Sequence, residues 1–165
     1  LTGNGISLNG KGDYYLIAEK GSSVELVRNK AGIYTYGAEP GTQSSPIGVL
    51  KATFTECTLL DLSDNTASGI HQGDGQYMNA EIIVDGCQEV KMNKNGIDAV
   101  CVNAGANLSL IRIKDCPSVE MNENGSWGTN GGDIEILNSL VDIAAILIIH
   151  GPELVILLLI CMLKA

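Results

Sequence analysis

Four side chains in this sequence have the chemistry of a ligand-contact strip: Tyr34, His71, Asp98 and Trp127. Aromatic rings present flat apolar area, and an imidazole beside a carboxylate supplies hydrogen bonds, a combination suited to a sugar ring. Each follows a short turn, in "GIY", "GIH", "GID" and "GSW". Aligning the turn glycines Gly32, Gly69, Gly96 and Gly125 therefore places all four side chains in one outward column. Tyr36, Asp74 and Tyr77 are near in sequence and would widen it. An ordinary solvent-facing row is the competing reading, so the scaffold beneath the column matters.

That scaffold is written four times. "VELVRNKAGIY" from Val24, "LDLSDNTASGIH" from Leu60, "VKMNKNGID" from Val90 and "VEMNENGSW" from Val119 align on Asn29, Asn65, Asn95 and Asn124, in steps of 36, 30 and 29 residues. A second phrase precedes three of these lines: "TFTECTLLDL", "IIVDGCQEVKM" and "IRIKDCPSVEM". Its cysteines, Cys57, Cys87 and Cys116, keep step with the asparagines. Two columns in one register, with a period near 30 and short strands between Gly/Asn turns, point to a solenoid.

On these residues the chain resembles the right-handed parallel β-helix of the pectate-lyase-like superfamily, over roughly residues 20 to 143. The resemblance implies about three short strands per turn, with successive turns about 4.8 Å apart. Alternate strand residues share a face, so Val24/Leu26, Leu60/Leu62, Val90/Met92 and Val119/Met121 should point inward, and Glu25, Asp61, Lys91 and Glu120 outward. The four asparagines should form a ladder whose side-chain amides bond to the next turn. The cysteines should be buried thiols, since in-register β-carbons near 4.8 Å are too far apart for a disulfide, which wants about 3.5 to 4.5 Å. Arg28, Asp64, Lys94 and Glu123 precede the asparagines and alternate in charge, as a stacked row prefers.

A polysaccharide lyase or glycoside hydrolase of the same fold is the alternative. The polygalacturonase-like pattern of N-T-D, paired Asp, G-H-G and R-I-K is met only by Arg112-Ile113-Lys114. Hydrolysis needs two carboxylates flanking the bond, and Asp74 and Asp98 are scattered candidates. A catalytic pair of His71 and Asp98 would need a nucleophile or substrate proton within reach. A lyase would need a calcium-carboxylate cluster and a basic residue, and the two arginines are placed otherwise. An ice-binding face would need ranks of outward threonines, and only Thr53 and Thr55 suggest one. The expectation is therefore a binding or structural module rather than an enzyme, with no cofactor, no metal and no catalytic residue assigned.

Composition sets the remaining bounds. One Trp, five Tyr and one Phe, with 20 Gly, suit an all-β chain of short strands and many turns. A formal charge of −9, from 19 acidic and 10 basic residues, repels phosphate backbones and disfavours nucleic acid as a partner. The five cysteines fall in no metal-like CxxC spacing. No initiator Met or secretory leader is present, and the strand-like N-terminus suggests a mature product or a piece of a larger solenoid.

From Ala144 the text becomes strongly apolar. Its longest unbroken run, Leu154 to Leu163, is half of the roughly 20 residues that span a bilayer. Joining it to "IAAILII" would bury Glu153 at mid-membrane at a cost of about 2.5 to 3.5 kcal/mol. A cap over exposed strand edges, or self-association, fits better.

The expected fold is thus all-β, a right-handed parallel β-helix of about four to five turns over residues 1–143, with an apolar capping or interface segment over 144–165. The expected role is a structural or adhesive module of a secreted or cell-surface protein, most readily bacterial. Carbohydrate or a host surface would be its partner, through Tyr34, His71, Asp98 and Trp127.

Overall fold

Along Val49–Thr55 and again along Asn79–Asp85, half-buried residues alternate with buried ones from end to end. That is the period-two pattern of a strand with one face in a core. In the computed structural model, which describes residues 3–9, 12–36, 48–72, 79–102, 109–130 and 133–142, such strands wind into a right-handed parallel β-helix of five turns.

The first turn is β1 (Ile6–Asn9), β2 (Tyr14–Ala18) and β3 (Ser23–Glu25), and the second is β4 (Ile33–Tyr36), β5 (Val49–Thr55) and β6 (Leu59–Asp61). The third is β7 (Ile70–Gln72), β8 (Asn79–Asp85) and β9 (Val90–Lys91), and the fourth is β10 (Asp98–Cys101), β11 (Ser109–Lys114) and β12 (Val119–Glu120). The fifth is β13 (Trp127–Asn130), β14 (Asp133–Leu137) and β15 (Val141–Asp142). Every third strand pairs in parallel, giving three five-stranded sheets, β1-β4-β7-β10-β13, β2-β5-β8-β11-β14 and β3-β6-β9-β12-β15. The first turn, with β1 and β2, begins ahead of the earliest repeated line.

Stacking in register converts sequence columns into the core. Leu16, Ala52, Ile82, Ile111 and Ile134 form one inward column of the second sheet, and Ala18, Phe54, Val84, Ile113 and Ile136 another. In the third sheet Val24, Leu60, Val90, Val119 and Val141 stack likewise. Leu62, Met92 and Met121 close the core beside them and are fully buried. Each buried aliphatic side chain contributes about 1.5 to 3 kcal/mol. Glu25, Asp61, Lys91 and Glu120 sit on the outward face, as the alternation requires.

Polar ladders join the turns at the corner between the third and first sheets. The Oδ1 of Asn65 accepts the backbone N–H of Asn29 at 2.9 Å, that of Asn95 accepts Asn65 at 3.1 Å, and that of Asn124 accepts Asn95 at 3.0 Å. Two residues earlier a second ladder runs the opposite way along the stack. There Ser63 Oγ accepts the N–H of Asn93 at 3.0 Å, and Asn93 Oδ1 accepts that of Asn122 at 2.7 Å. Cys57, Cys87 and Cys116 are fully buried and in no disulfide.

The corners themselves are strained. Arg28, Asp64, Lys94 and Glu123 all have φ between 56° and 58°, and at the corner between the second and third sheets Glu56, Asp115 and Asn138 have φ of 49°, 52° and 46°. A side chain in this left-handed region costs roughly 1–2 kcal/mol, and glycine avoids the cost. Gly86, with φ of 65°, holds the equivalent place in its own turn. Lys94→Gly is therefore expected to stabilise the chain by about 1 kcal/mol, raising the melting temperature by about 2–4 °C. An unchanged or lower melting temperature would count against corner strain.

The alternating charges of Arg28, Asp64, Lys94 and Glu123 do stack, but all four are exposed and no ion pair links them among the described residues. At an exposed corner a pair is worth only about 0–1 kcal/mol against the entropy of holding two long side chains. Ion pairs form instead on the outer face of the second sheet, where Lys51 meets Glu81 at 2.9 Å and Arg112 meets Glu135 at 2.6 Å. Asp115 accepts from Asn138 Nδ2 at 2.6 Å and lies 3.0 Å from Lys114, which together hold its carboxyl below the usual range. Its contribution to stability is present above the unfolded pKa of about 3.9 and fades as pH falls through the lower folded value.

Among the described residues, no helix is long and apolar enough to cross a membrane. The apolar segment 144–165, expected to cap the solenoid or meet another chain, lies outside the described residues.

Candidate functional site

The outward face of the first sheet carries the candidate strip. Tyr34 on β4 and His71 on β7 are partners in register. Their rings stack with centroids 5.5 Å apart and planes 10° from parallel. The Oγ of Ser68, fully buried two residues before the same strand, lies 3.3 Å from His71 Nδ1. That oxygen also accepts the backbone N–H of Asp98 at 3.4 Å. Ring stacking on one face and the hydroxyl at the Nδ1 edge hold His71 in the row.

Asp98 does not join it. The structure buries Asp98 completely and pairs it with Trp127, at the place where the previous turn has Ser68. The neighbour of His71 is Cys101, which in turn pairs with Asn130. The row therefore reads Ser7, Tyr34, His71, Cys101 and Asn130, with Trp127 three positions earlier on β13 than the strip requires.

The reason lies in the glycines. Gly32 and Gly69 form one column, since a β-carbon on Gly32 would lie 2.5 Å from the Gly69 carbonyl oxygen and one on Gly69 would lie 2.6 Å from that of Ala99. Gly96 and Gly125 belong to another, packed against the carbonyls of Thr66 and Gly96 respectively. An ungapped count from the ladder asparagines brings Cys101 opposite His71, and aligning unlike glycines hid it. Asp74 and Tyr77 lie outside the described residues, as do most of the two long polar insertions. Tyr36 pairs with Asn9 at the end of β4.

This geometry limits the chemistry. Stacking turns the Tyr34 and His71 rings toward each other along the solenoid axis, so the pair offers a ligand ring edges and polar atoms more than an open face. A catalytic pair of Asp98 and His71 is not assembled, because a carboxylate with no exposed surface cannot meet a solvent-borne polysaccharide. Ser68 is shut away equally and cannot serve as a nucleophile. Among the described residues no three His, Cys, Asp or Glu side chains converge as a metal set. Compared with known protein families, with curated proteins and with solved structures, this chain finds no match, so its site is read from its own residues.

Proposed function

We propose that this chain is a structural or adhesive β-solenoid module of an extracellular protein, of the kind found on bacterial surfaces. Contact with carbohydrate or a host surface would run along the row that begins at Tyr34 and His71. The observation that carries this reading is where the polar side chains go. The side chains of Asn65, Asn95 and Asn124 are committed to joining one turn to the next, and the outer charges of the second sheet pair with one another. That suits a rod which projects or presents rather than a cleft which reacts. Tyr34 and His71 contribute polar edges on an otherwise regular face, which suits hydroxyl-rich ligands.

The test is incubation of the purified chain with neutral and acidic polysaccharides, following both retention on the polymer and release of soluble fragments. Retention without release is expected, weakened several-fold by Tyr34→Ala or His71→Ala. Including Trp127→Ala reports whether the neighbouring position contributes. Fragment release lost in His71→Ala would replace this reading with the polysaccharide-active enzyme of the same fold. Absence of both signals would leave a stalk without a carbohydrate ligand.

A further inference from the structure

We propose that Cys101 is a thiol-modification site on the outer face of the first sheet, with His71 as its activating neighbour and a small-molecule disulfide as its reactant. It goes beyond carbohydrate contact and does not depend on it. The described cysteines divide into two kinds. Cys57, Cys87 and Cys116 form the inward column, each fully buried. Their thiols donate to backbone carbonyls, Cys87 to Phe54 at 3.4 Å and Cys116 to Lys114 at 3.2 Å. A fully buried sulfur is out of reach of a disulfide reagent, and burial opposes formation of the thiolate. Such thiols are inert while the turns stay stacked.

Cys101 is partly exposed and stands in an outward row. Its register partner His71 lies one strand spacing away, about 4.8 Å between backbones, on the side opposite Tyr34. Side chains in this row do reach one another, as the Tyr34–His71 stack shows. Ser68 and Tyr34 hold the imidazole in the row, one strand position from Cys101. Among the described residues, the titratable side chains that share the row with Cys101 are His71 and, one strand further, Tyr34. Asp98, on the same strand, is turned into the interior, and the β13 partner is Asn130. A nearby imidazole that can carry positive charge favours thiolate over thiol, and thiolate is the species that attacks.

In the exchange, the Cys101 sulfur attacks one sulfur of the disulfide, forming a mixed disulfide and breaking the original S–S bond. The departing thiolate takes up the proton that Cys101 released, by way of His71 or solvent. Cys101 is oxidised to the mixed-disulfide level, and half of the reactant is reduced to thiol.

The experiment treats the full chain, carrying Cys161→Ser so that this residue outside the described set does not compete, with glutathione disulfide from pH 6 to 10. Peptide mass mapping follows each cysteine. Cys101 is expected to react at least about 10-fold faster than Cys57, Cys87 and Cys116, with half-maximal rate below the ordinary thiol value of about 8.5. His71→Phe keeps a flat ring against Tyr34 and removes both nitrogens. It should slow Cys101 about 5- to 10-fold at pH 7 and converge with the parent above pH 9, where the thiol ionises unaided. Equal rates at pH 7, or Cys101 no faster than the buried three, would overturn the proposal. Should His71→Phe fail to fold, the parent profile still decides, because a half-maximal rate at or above pH 8.5 marks an unassisted thiol and overturns it as well.

Discussion

Replacing Asn95 by alanine is expected to lower the unfolding free energy by about 3 kcal/mol. The Asn95 Oδ1 accepts two donors from the preceding turn, the backbone N–H of Asn65 and its side-chain Nδ2, both at 3.1 Å. Asn65 and Asn95 are each 1% exposed, so water cannot replace a lost acceptor. The Nδ2 of Asn65 retains the Leu62 carbonyl at 2.9 Å, but the Asn65 N–H retains nothing. A buried donor left in that state costs about 1–3 kcal/mol, and the vacated side-chain volume adds to it. Urea unfolding reads the total, and amide hydrogen exchange at Asn65 reads the local part. If Asn65 exchanges no faster in Asn95→Ala than in the parent, the ladder is not what closes the corner.

Ile82→Ala is expected to cost about 4 kcal/mol, the upper part of the range for emptying a well-packed aliphatic site. Ile82 lies in the middle strand of the second sheet, fully buried, between Ala52 of the turn before and Ile111 of the turn after. Its column cannot collapse into the gap, because strand spacing is fixed by hydrogen bonds on both sides. The matched control is Ile83→Ala, one residue along and on the outward face between Thr53 and Arg112. It should cost under about 1 kcal/mol, as surface changes do. Equal losses at the two positions would mean that the inward and outward faces are wrongly assigned. Because a solenoid's stability is a sum over neighbouring turns, the Ile82 defect should loosen the third turn and its two neighbours before the ends.

Much of this architecture can be read directly from residue types, and the boundary of what can be read is physical. The apolar columns and the ladder asparagines recur in kind because each has one solution, a small aliphatic or an amide, that fits every turn. The Ser63, Asn93 and Asn122 ladder was visible in "LSDN", "MNKN" and "MNEN", yet its first member is a serine and breaks the column by eye. Asp98 was misplaced because "SGIH" and "NGID" share a glycine that does two different jobs. In one case it admits a carbonyl just before the strand, and in the other it packs at the corner itself. The charges misled in a similar way. Residues that alternate in sign along the Arg28 corner remain unpaired with one another, and those that do pair lie on a flat sheet, where neighbouring side chains run alongside each other. Of the candidate strip, Tyr34 and His71 came together as anticipated, and Cys101 became legible only once the register was fixed by backbone pairing.

The same corner ladder bears on how long the protein lasts as a chemical substance. Asn95-Gly96 and Asn124-Gly125 are the kind of dipeptide that ages by deamidation, in which the glycine nitrogen closes onto the asparagine side chain and ammonia departs. Here the Gly96 N–H is held by the Asn65 carbonyl and the Gly125 N–H by the Asn95 carbonyl, each at 2.8 Å, and the Oδ1 of each asparagine is occupied by a neighbouring backbone. Ring closure would require both attachments to be given up at once. Ageing at these sites is therefore confined to moments when a turn has come apart, and the isoaspartate found at Asn95 and Asn124 becomes a record of how often those turns have opened.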